Sequence, residues 1–237
     1  LKNLSQYRSF KLKIFEQEGS LNSKKKLQKI LKRKFEYLYS KKNIGLSKAS
    51  NILLKKVKSK YILFTQADIF IDKKSILNLV KIFKKDKNII FVTPTIRRGI
   101  KKVRNNNNIS FVKNIKAACM LCDVKRLKKI NFFDDDYFLY WEDIDLIKRI
   151  NQSKFKMVLA NNIFAKHKSS QSSKDNMKTQ YLRSSNYIYG ELIYDLKHKK
   201  IRIIKIIRKI FQNLILFFCN IICFKFKNSL IRIFNIC

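Results

Sequence analysis

Six of the sixteen acidic residues lie between Asp134 and Asp145, in the run Phe133-Asp134-Asp135-Asp136-Tyr137-Phe138-Leu139-Tyr140-Trp141-Glu142-Asp143-Ile144-Asp145. The chain around them carries 54 Lys and Arg and a formal net charge of +38. Carboxylates crowded beside aromatic rings repel one another and are costly to desolvate unless a cation, a proton or a hydroxyl donor shares them. An aromatic wall next to a carboxylate suits a site that holds a sugar ring and lifts the pKa of a base. Asp143 and Asp145 stand at the start of a helical pattern, and Glu142 with Tyr137, Phe138, Tyr140 and Trp141 before it is what capping leaves unexplained. The plain alternatives are an N-cap for Asp143 and a solvated turn for Asp134–Asp136.

Two other residues carry groups that could assist. Asp68 closes the apolar pattern Tyr61-Ile62-Leu63-Phe64-Thr65. An acid at the carboxyl end of a strand in an open α/β sheet can hold a divalent cation, although an Asp there also serves as a turn residue or helix cap. His167 follows a second strand pattern and stands between lysines, where a histidine is ordinarily a surface residue; His198, in a lysine run, reads as solvated. Cys119 and Cys122 have the CxxC form with no second pair nearby, and they sit in an apolar run. Buried free thiols on a strand fit that setting better than a metal site. Five cysteines without a disulfide spacing fit a reducing compartment.

The segments between these residues alternate in period. Strand patterns fall at 10–15, 35–39, 61–65, 89–92, 117–121 and 156–160. Helical spacing marks 23–36, 51–57 (entered near Ser47), 75–83, 124–130 and 144–150. Thr93-Pro94 closes the fourth strand, and the Asn-rich stretch 97–108 reads as a loop. Strands and helices alternating at this interval predict an α/β fold, a mixed and mostly parallel sheet flanked by helices.

The motifs, in order, resemble family 2 glycosyltransferases of the GT-A fold, a Rossmann-like architecture, and within them the rhamnosyltransferase-like branch. Asn43-Ile44-Gly45-Leu46-Ser47-Lys48-Ala49-Ser50-Asn51 is similar to that family's N-x-G-x-x-x-A-x-N segment. Tyr61–Asp68 resembles its strand ending in a metal-binding acid. Phe132–Leu146 resembles F-D-E-x-F-F-x-Y-x-E-D-x-D-L, and His167 falls where a histidine closes the donor site.

The resemblance implies an inverting transfer from a nucleotide-sugar donor to a hydroxyl of a saccharide or lipid-linked acceptor, in cell-surface polysaccharide synthesis. Asp143 would be the base, and Tyr140, Trp141 and Glu142 would shape the acceptor pocket. Asp68 and His167 would bind Mg²⁺ or Mn²⁺. Glu16 or Glu18, together with Asn43, Gly45, Asn51 and Asp68, would contact the donor. The family begins with an apolar strand and a base pocket that nothing before Phe10 supplies; Leu1–Ser9 resembles the helix after that strand. The expectation is a domain truncated at its start that binds donor poorly. Gln66-Ala67-Asp68 also leaves a single acid at the metal.

The division expected from these patterns is 1–175 as the glycosyltransferase domain and 176–237 as basic amphipathic helices. No acid follows Asp195. Over 201–224, Arg202, Lys205, Lys209 and Gln212 share one helical face opposite Ile203, Ile206, Ile207, Ile210 and Leu214. The apolar run 214–224 is shorter than the ~20 residues a bilayer requires. An anionic membrane surface is the expected partner, with the protein cytoplasmic and peripheral on the inner face of the cell membrane. The charge also fits a nucleic-acid-binding protein, but an acidic cluster among the aromatics would repel a phosphate backbone. A catalytically degenerate GT-A binding domain is the other alternative.

Overall fold

A computed structural model describes residues 9–66, 68–97, 108–115, 118–167, 176–198, 203–222, 228 and 230–232. Residues 1–8 of the expected helix over 1–9, most of the Asn-rich loop, the start of the 117–121 strand and the end of the 214–224 run lie outside the described residues. The chain divides into two compact units, 1–134 with 143–172, and 135–142 with 173–237.

In the first unit the strands are β1 (Lys13–Gln17), β2 (Glu36–Ser40), β3 (Tyr61–Thr65), β4 (Ile69–Phe70), β5 (Ile89–Arg97), β6 (Ile109–Val112), β7 (Cys119–Asp123) and β8 (Lys156–His167). The helices are α1 (Leu21–Leu31), α2 (Leu46–Lys55), α3 (Lys73–Ile82), α4 (Val124–Lys129) and α5 (Glu142–Asn151). β1 and β2 form a parallel pair of their own. The other six make one sheet in the order β3-β7-β5-β8-β4, with β6 also on β8. β3, β5 and β8 run one way, and β7, β4 and β6 run against them. β1 with β2 and β5 with β8 pair in parallel, and the predicted mixed sheet flanked by helices is the fold observed.

Side chains alternate between the faces of a strand, and two cores result. Cys119, Leu121, Val92, Val158 and Ala160 pack with Ile76, Leu79 and Ile82 of α3. Met120, Cys122, Phe91 and Met157 pack with Leu54 of α2, Leu127 of α4, and Leu146, Ile147 and Ile150 of α5. The two thiols are thus buried on opposite faces, as free cysteines rather than a ligand pair. Burial pushes the Cys119 thiol up to about 12.

Several expected boundaries shift for local reasons. α1 stops at Leu31 because Lys32 takes a left-handed conformation (φ 48°) and its N–H closes on the Gln28 carbonyl. β5 does not end at Pro94: it continues to Arg97, with a register shift at Pro94/Thr95. Its pairing with β7 reaches only Val92, so the residue without an N–H falls where one edge has no partner. The strand that returns after α5 runs on to His167 instead of stopping at Ala160.

In the second unit, α6 (Met177–His198) and α7 (Ile203–Ile222) pack along a polar seam. Lys205 pairs with Asp195 and, at 2.8 Å, with Glu191, while Lys209 also pairs with Glu191. Residues 135–142 pack on α6 through Tyr137, Trp141, Ile193 and Tyr194.

Candidate active site

Asp68 and His167 are brought together by a two-residue ladder. Ile69 pairs with His167 and Phe70 with Lys166 where β4 meets the end of β8. Asp68 Oδ2 lies 3.0 Å from His167 Nε2. Asp68 Oδ1 is buried and has no hydrogen-bond partner among the described residues. A carboxylate oxygen out of reach of water and short of a donor is a site for a cation. At that distance the two groups are in direct hydrogen-bond contact. Among the described residues no three His, Cys, Asp or Glu side chains cluster for a metal. The buried Asp68 Oδ1 is the feature here that fits a cation.

Asp143 lies in the first turn of α5, one residue inside the helix rather than capping it. Its Oδ1 accepts from the Ile144 N–H at 2.9 Å. Burial raises its pKa above the ordinary aspartate value, and the Ile144 amide pulls partly the other way. The sequence pattern anticipated a carboxyl raised by an aromatic wall beside it, and desolvation by burial is the cause found. α5 packs into the core that holds Met157 of β8 through Leu146, Ile147 and Ile150. β3 and β8 run toward the same sheet end, the end that carries Asp68 and His167. Ligands in open α/β sheets gather at that end.

Two tethers hold the chain that leads into the acidic run. The Asn51 amide donates to the Phe133 carbonyl at 2.7 Å and accepts from its N–H at 3.3 Å. Arg149 pairs with the buried Asp145 and donates to the carbonyls of Ile130, Asn131 (2.8 Å) and Phe132 (2.7 Å). Asn51, expected at the donor, thus has a structural contact to the acidic run. Asp145, the last acid of the Glu-Asp-x-Asp pattern, anchors α5.

The Asn43–Gly45 loop is built by Gln17, which the sequence gave no reason to single out. Gln17 donates to the Gly45 carbonyl at 2.7 Å and accepts from Ile44 N–H at 2.9 Å. Asn43 Oδ1 accepts from Gly45 N–H at 3.0 Å, and Gly45 enters α2 at φ 84°, a conformation that favours glycine. Glu16 accepts from the Tyr37 hydroxyl, which burial first and this bond second push up to about 12. Glu18 is exposed, in a left-handed turn.

Tyr140, Trp141 and Glu142 belong to the second unit. Tyr140 (φ 69°) and Trp141 (φ 68°) are consecutive non-glycine residues in the left-handed region, at a cost of about 1–2 kcal/mol each. Glu142 is buried. Two lysine-lined surface cavities, of about 500 and 670 Å³, contain none of these residues and lie by α4 and along α3.

No curated protein matches the chain in sequence. Solved glycosyltransferases share its fold. A structure of GalNAc-T7 with UDP, GalNAc and Mn²⁺ superposes at TM-score 0.55 and 14% identity, over 75% of this chain and 40% of that one. The mannosyltransferase PcManGT of Pyrobaculum calidifontis, with GDP-Man and Mn²⁺, gives 0.56 and 9% over 81% and 56%. S. aureus TarS gives 0.53 and 10% over 82% and 66%. The chain therefore spans about 40 to 66% of these proteins. The model of the family described as glycosyl transferase family 2 matches residues 17–146, more than half of the chain, and the chain belongs to that family.

Proposed function

We propose that this chain carries the catalytic part of an inverting glycosyltransferase. The donor is a nucleotide-sugar and the acceptor a hydroxyl of a saccharide or lipid-linked saccharide, in cell-surface polysaccharide synthesis; the motif order supports the rhamnosyltransferase-like branch. The observation that carries the reading is Asp143, a part-buried carboxyl of raised pKa on a helix tip. It belongs to the same compact unit as Asp68, whose buried Oδ1 has no hydrogen-bond partner among the described residues and whose Oδ2 lies against His167. Nucleotide sugars and Mn²⁺ in structures of similar fold support the donor class and a divalent ion.

In this mechanism the Asp143 carboxylate takes the proton of the acceptor hydroxyl as that oxygen bonds to the anomeric carbon. The bond from that carbon to the diphosphate oxygen breaks, and its electron pair departs with the nucleoside diphosphate. Asp68 and His167 would hold Mg²⁺ or Mn²⁺, which offsets the charge appearing on the leaving group. Tyr140, Trp141 and Glu142 bind acceptor; Asn43, Gly45 and an acid at the end of β1, Glu16 or Glu18, bind donor. Asn51 acts by placing Phe133.

One feature supports a further part of the reading. On α7, Lys205, Lys209 and the buried Asn213 turn toward the seam, while Ile204 (79% exposed), Phe211 (63%) and Ile222 (75%) turn outward. Among the described residues no helix is long and apolar enough to cross a membrane. We place α7 on an anionic membrane surface, on the cytoplasmic side, through this apolar face.

The test is a screen of nucleotide-sugars against octyl glycoside acceptors, with the product's anomeric configuration read by NMR. Transfer with inversion is expected; retained configuration overturns the single-displacement reading.

A further inference from the structure

The chain has four glycines, and one of them, Gly190, stands in the interior of α6, a 22-residue helix. Glycine weakens a helix interior relative to alanine, because it leaves more backbone freedom to be lost on folding. No turn or positive φ calls for it there. A Cβ built at Gly190 would stand 2.9 Å from Trp141 Cδ1, 3.0 Å from the Tyr140 carbonyl oxygen and 3.2 Å from Trp141 Cβ. The space a side chain would fill is taken by the two residues whose backbone is strained.

The rest of that helix face completes a seat. Tyr187 lies one turn before Gly190, its ring 5.6 Å from that of Trp141 and 6.1 Å from that of Tyr140. Tyr194 lies one turn beyond, 5.3 Å from the indole. Lys197, another turn on, pairs with Asp136 at 2.6 Å and lies over the Tyr137 ring. Strained backbone persists only where its surroundings fix it. The Trp141 indole N–H is buried with no hydrogen-bond partner among the described residues, so packing and not a polar bond locates the ring.

We propose that Gly190 is a positioning residue: the bare helix backbone at 190 is the socket that seats Trp141 and holds the Tyr140–Trp141 backbone in the form that receives the acceptor saccharide. The inference deepens the acceptor role given to these residues above and rests on it. α6 then has two tasks on two faces. Glu191 and Asp195 bind α7, and Tyr187, Gly190, Tyr194 and Lys197 shape the acceptor segment. A C-terminal helix that reads as a membrane appendage is, on this account, part of the acceptor side.

Trp141 is the only tryptophan of the chain, so its emission reports its own seat. The experiment compares wild type with Gly190→Ala in the full chain. It measures tryptophan emission, thermal midpoint, donor hydrolysis by water, and transfer to an octyl glycoside that wild type uses. The expected result is a shifted emission and an acceptor KM raised on the order of tenfold to a hundredfold. Donor KM and hydrolysis stay as in wild type. The midpoint falls, where alanine in an unobstructed helix would raise it. Unchanged emission with a raised midpoint overturns the socket. Shifted emission with unchanged acceptor constants overturns the positioning role and removes Trp141 from the acceptor site, leaving family and base assignment untouched. Should Gly190→Ala not fold, Tyr187→Ala decides the matter, since it loosens the seat without adding a Cβ: red-shifted emission with raised acceptor KM supports the proposal, and no change in either refutes it.

Discussion

Asn51 and Phe133, 82 residues apart, exchange two hydrogen bonds: the side-chain amide of one donates to the backbone carbonyl of the other and accepts from its N–H. A single α2 side chain thereby fixes the backbone that delivers the acidic run, next to the carbonyls that Arg149 holds. Replacing it with alanine leaves two part-buried backbone groups without this partner. Asn51→Ala is expected to destabilise the fold by about 1–3 kcal/mol, read as a lowered urea midpoint. Asn51→Asp keeps the acceptor and loses the donor, so it should fall between. A wild-type midpoint for the alanine variant would return Asn51 to a donor-contacting role alone.

Asp143→Asn separates chemistry from binding. The amide still accepts from Ile144 N–H but cannot take a proton. Transfer is expected to drop about 10²–10⁴-fold, with donor affinity by calorimetry unchanged. Turnover within a few-fold of wild type would remove Asp143 from the base role.

The raised pKa of Asp143 gives that substitution a second, opposite effect. Burial disfavours the charged carboxylate in the folded state only, so at neutral pH the ionised side chain costs stability. Below the unfolded-state pKa, ~3.9, both states are protonated and the cost is gone. Asp143→Asn should therefore melt higher than wild type at pH 7, with the difference shrinking as pH falls through the folded pKa. The rate of wild type should decline over the same descent, because the base is lost as it protonates. A rate profile flat through the acid range would place the base elsewhere.

The sequence located the acid and the aromatics but not what holds them. The run from Phe132 to Asp145 is legible because carboxylates beside rings are costly anywhere else, and β3 is legible because four apolar residues, Tyr61 to Phe64, end at a polar break. Asn51 and Gln17 were not legible as supports, since a hydrogen bond across many residues leaves no local period. Gly190 carried no local signal either: its meaning is the 2.9 Å approach of a ring from a segment 49 positions earlier. Pro94 misled, because a breaker of a central strand is tolerated where one edge goes unpaired. Lys205 and Lys209 read as a face toward solvent or lipid, and the acids of α6 claim them instead.

Asp68 and His167 should bind a divalent cation measurably in the absence of turnover. Mn²⁺ added with a nucleoside diphosphate is expected to give a bound electron paramagnetic resonance signal that Asp68→Asn abolishes and His167→Ala weakens. Asp68→Asn removes the charge while conserving shape, so an unaltered signal would move the ion off this pair. Chelation should halt transfer and excess Mn²⁺ restore it.

The seam between α6 and α7 makes the membrane reading directional. If the outward apolar face meets lipid, Ile204→Asp with Phe211→Asp should abolish co-sedimentation with vesicles rich in anionic lipid while leaving the melting temperature nearly unchanged. Lys205→Met should behave the other way. It removes the cation that Asp195 and Glu191 share at a part-buried seam, Lys209 remaining on Glu191, and costs about 1–3 kcal/mol, while vesicle binding of the protein that remains folded persists. If Lys205→Met alone releases the protein from vesicles at unchanged stability, the basic face is the one that meets the bilayer, and the helix must turn over from the orientation its ion pairs now hold.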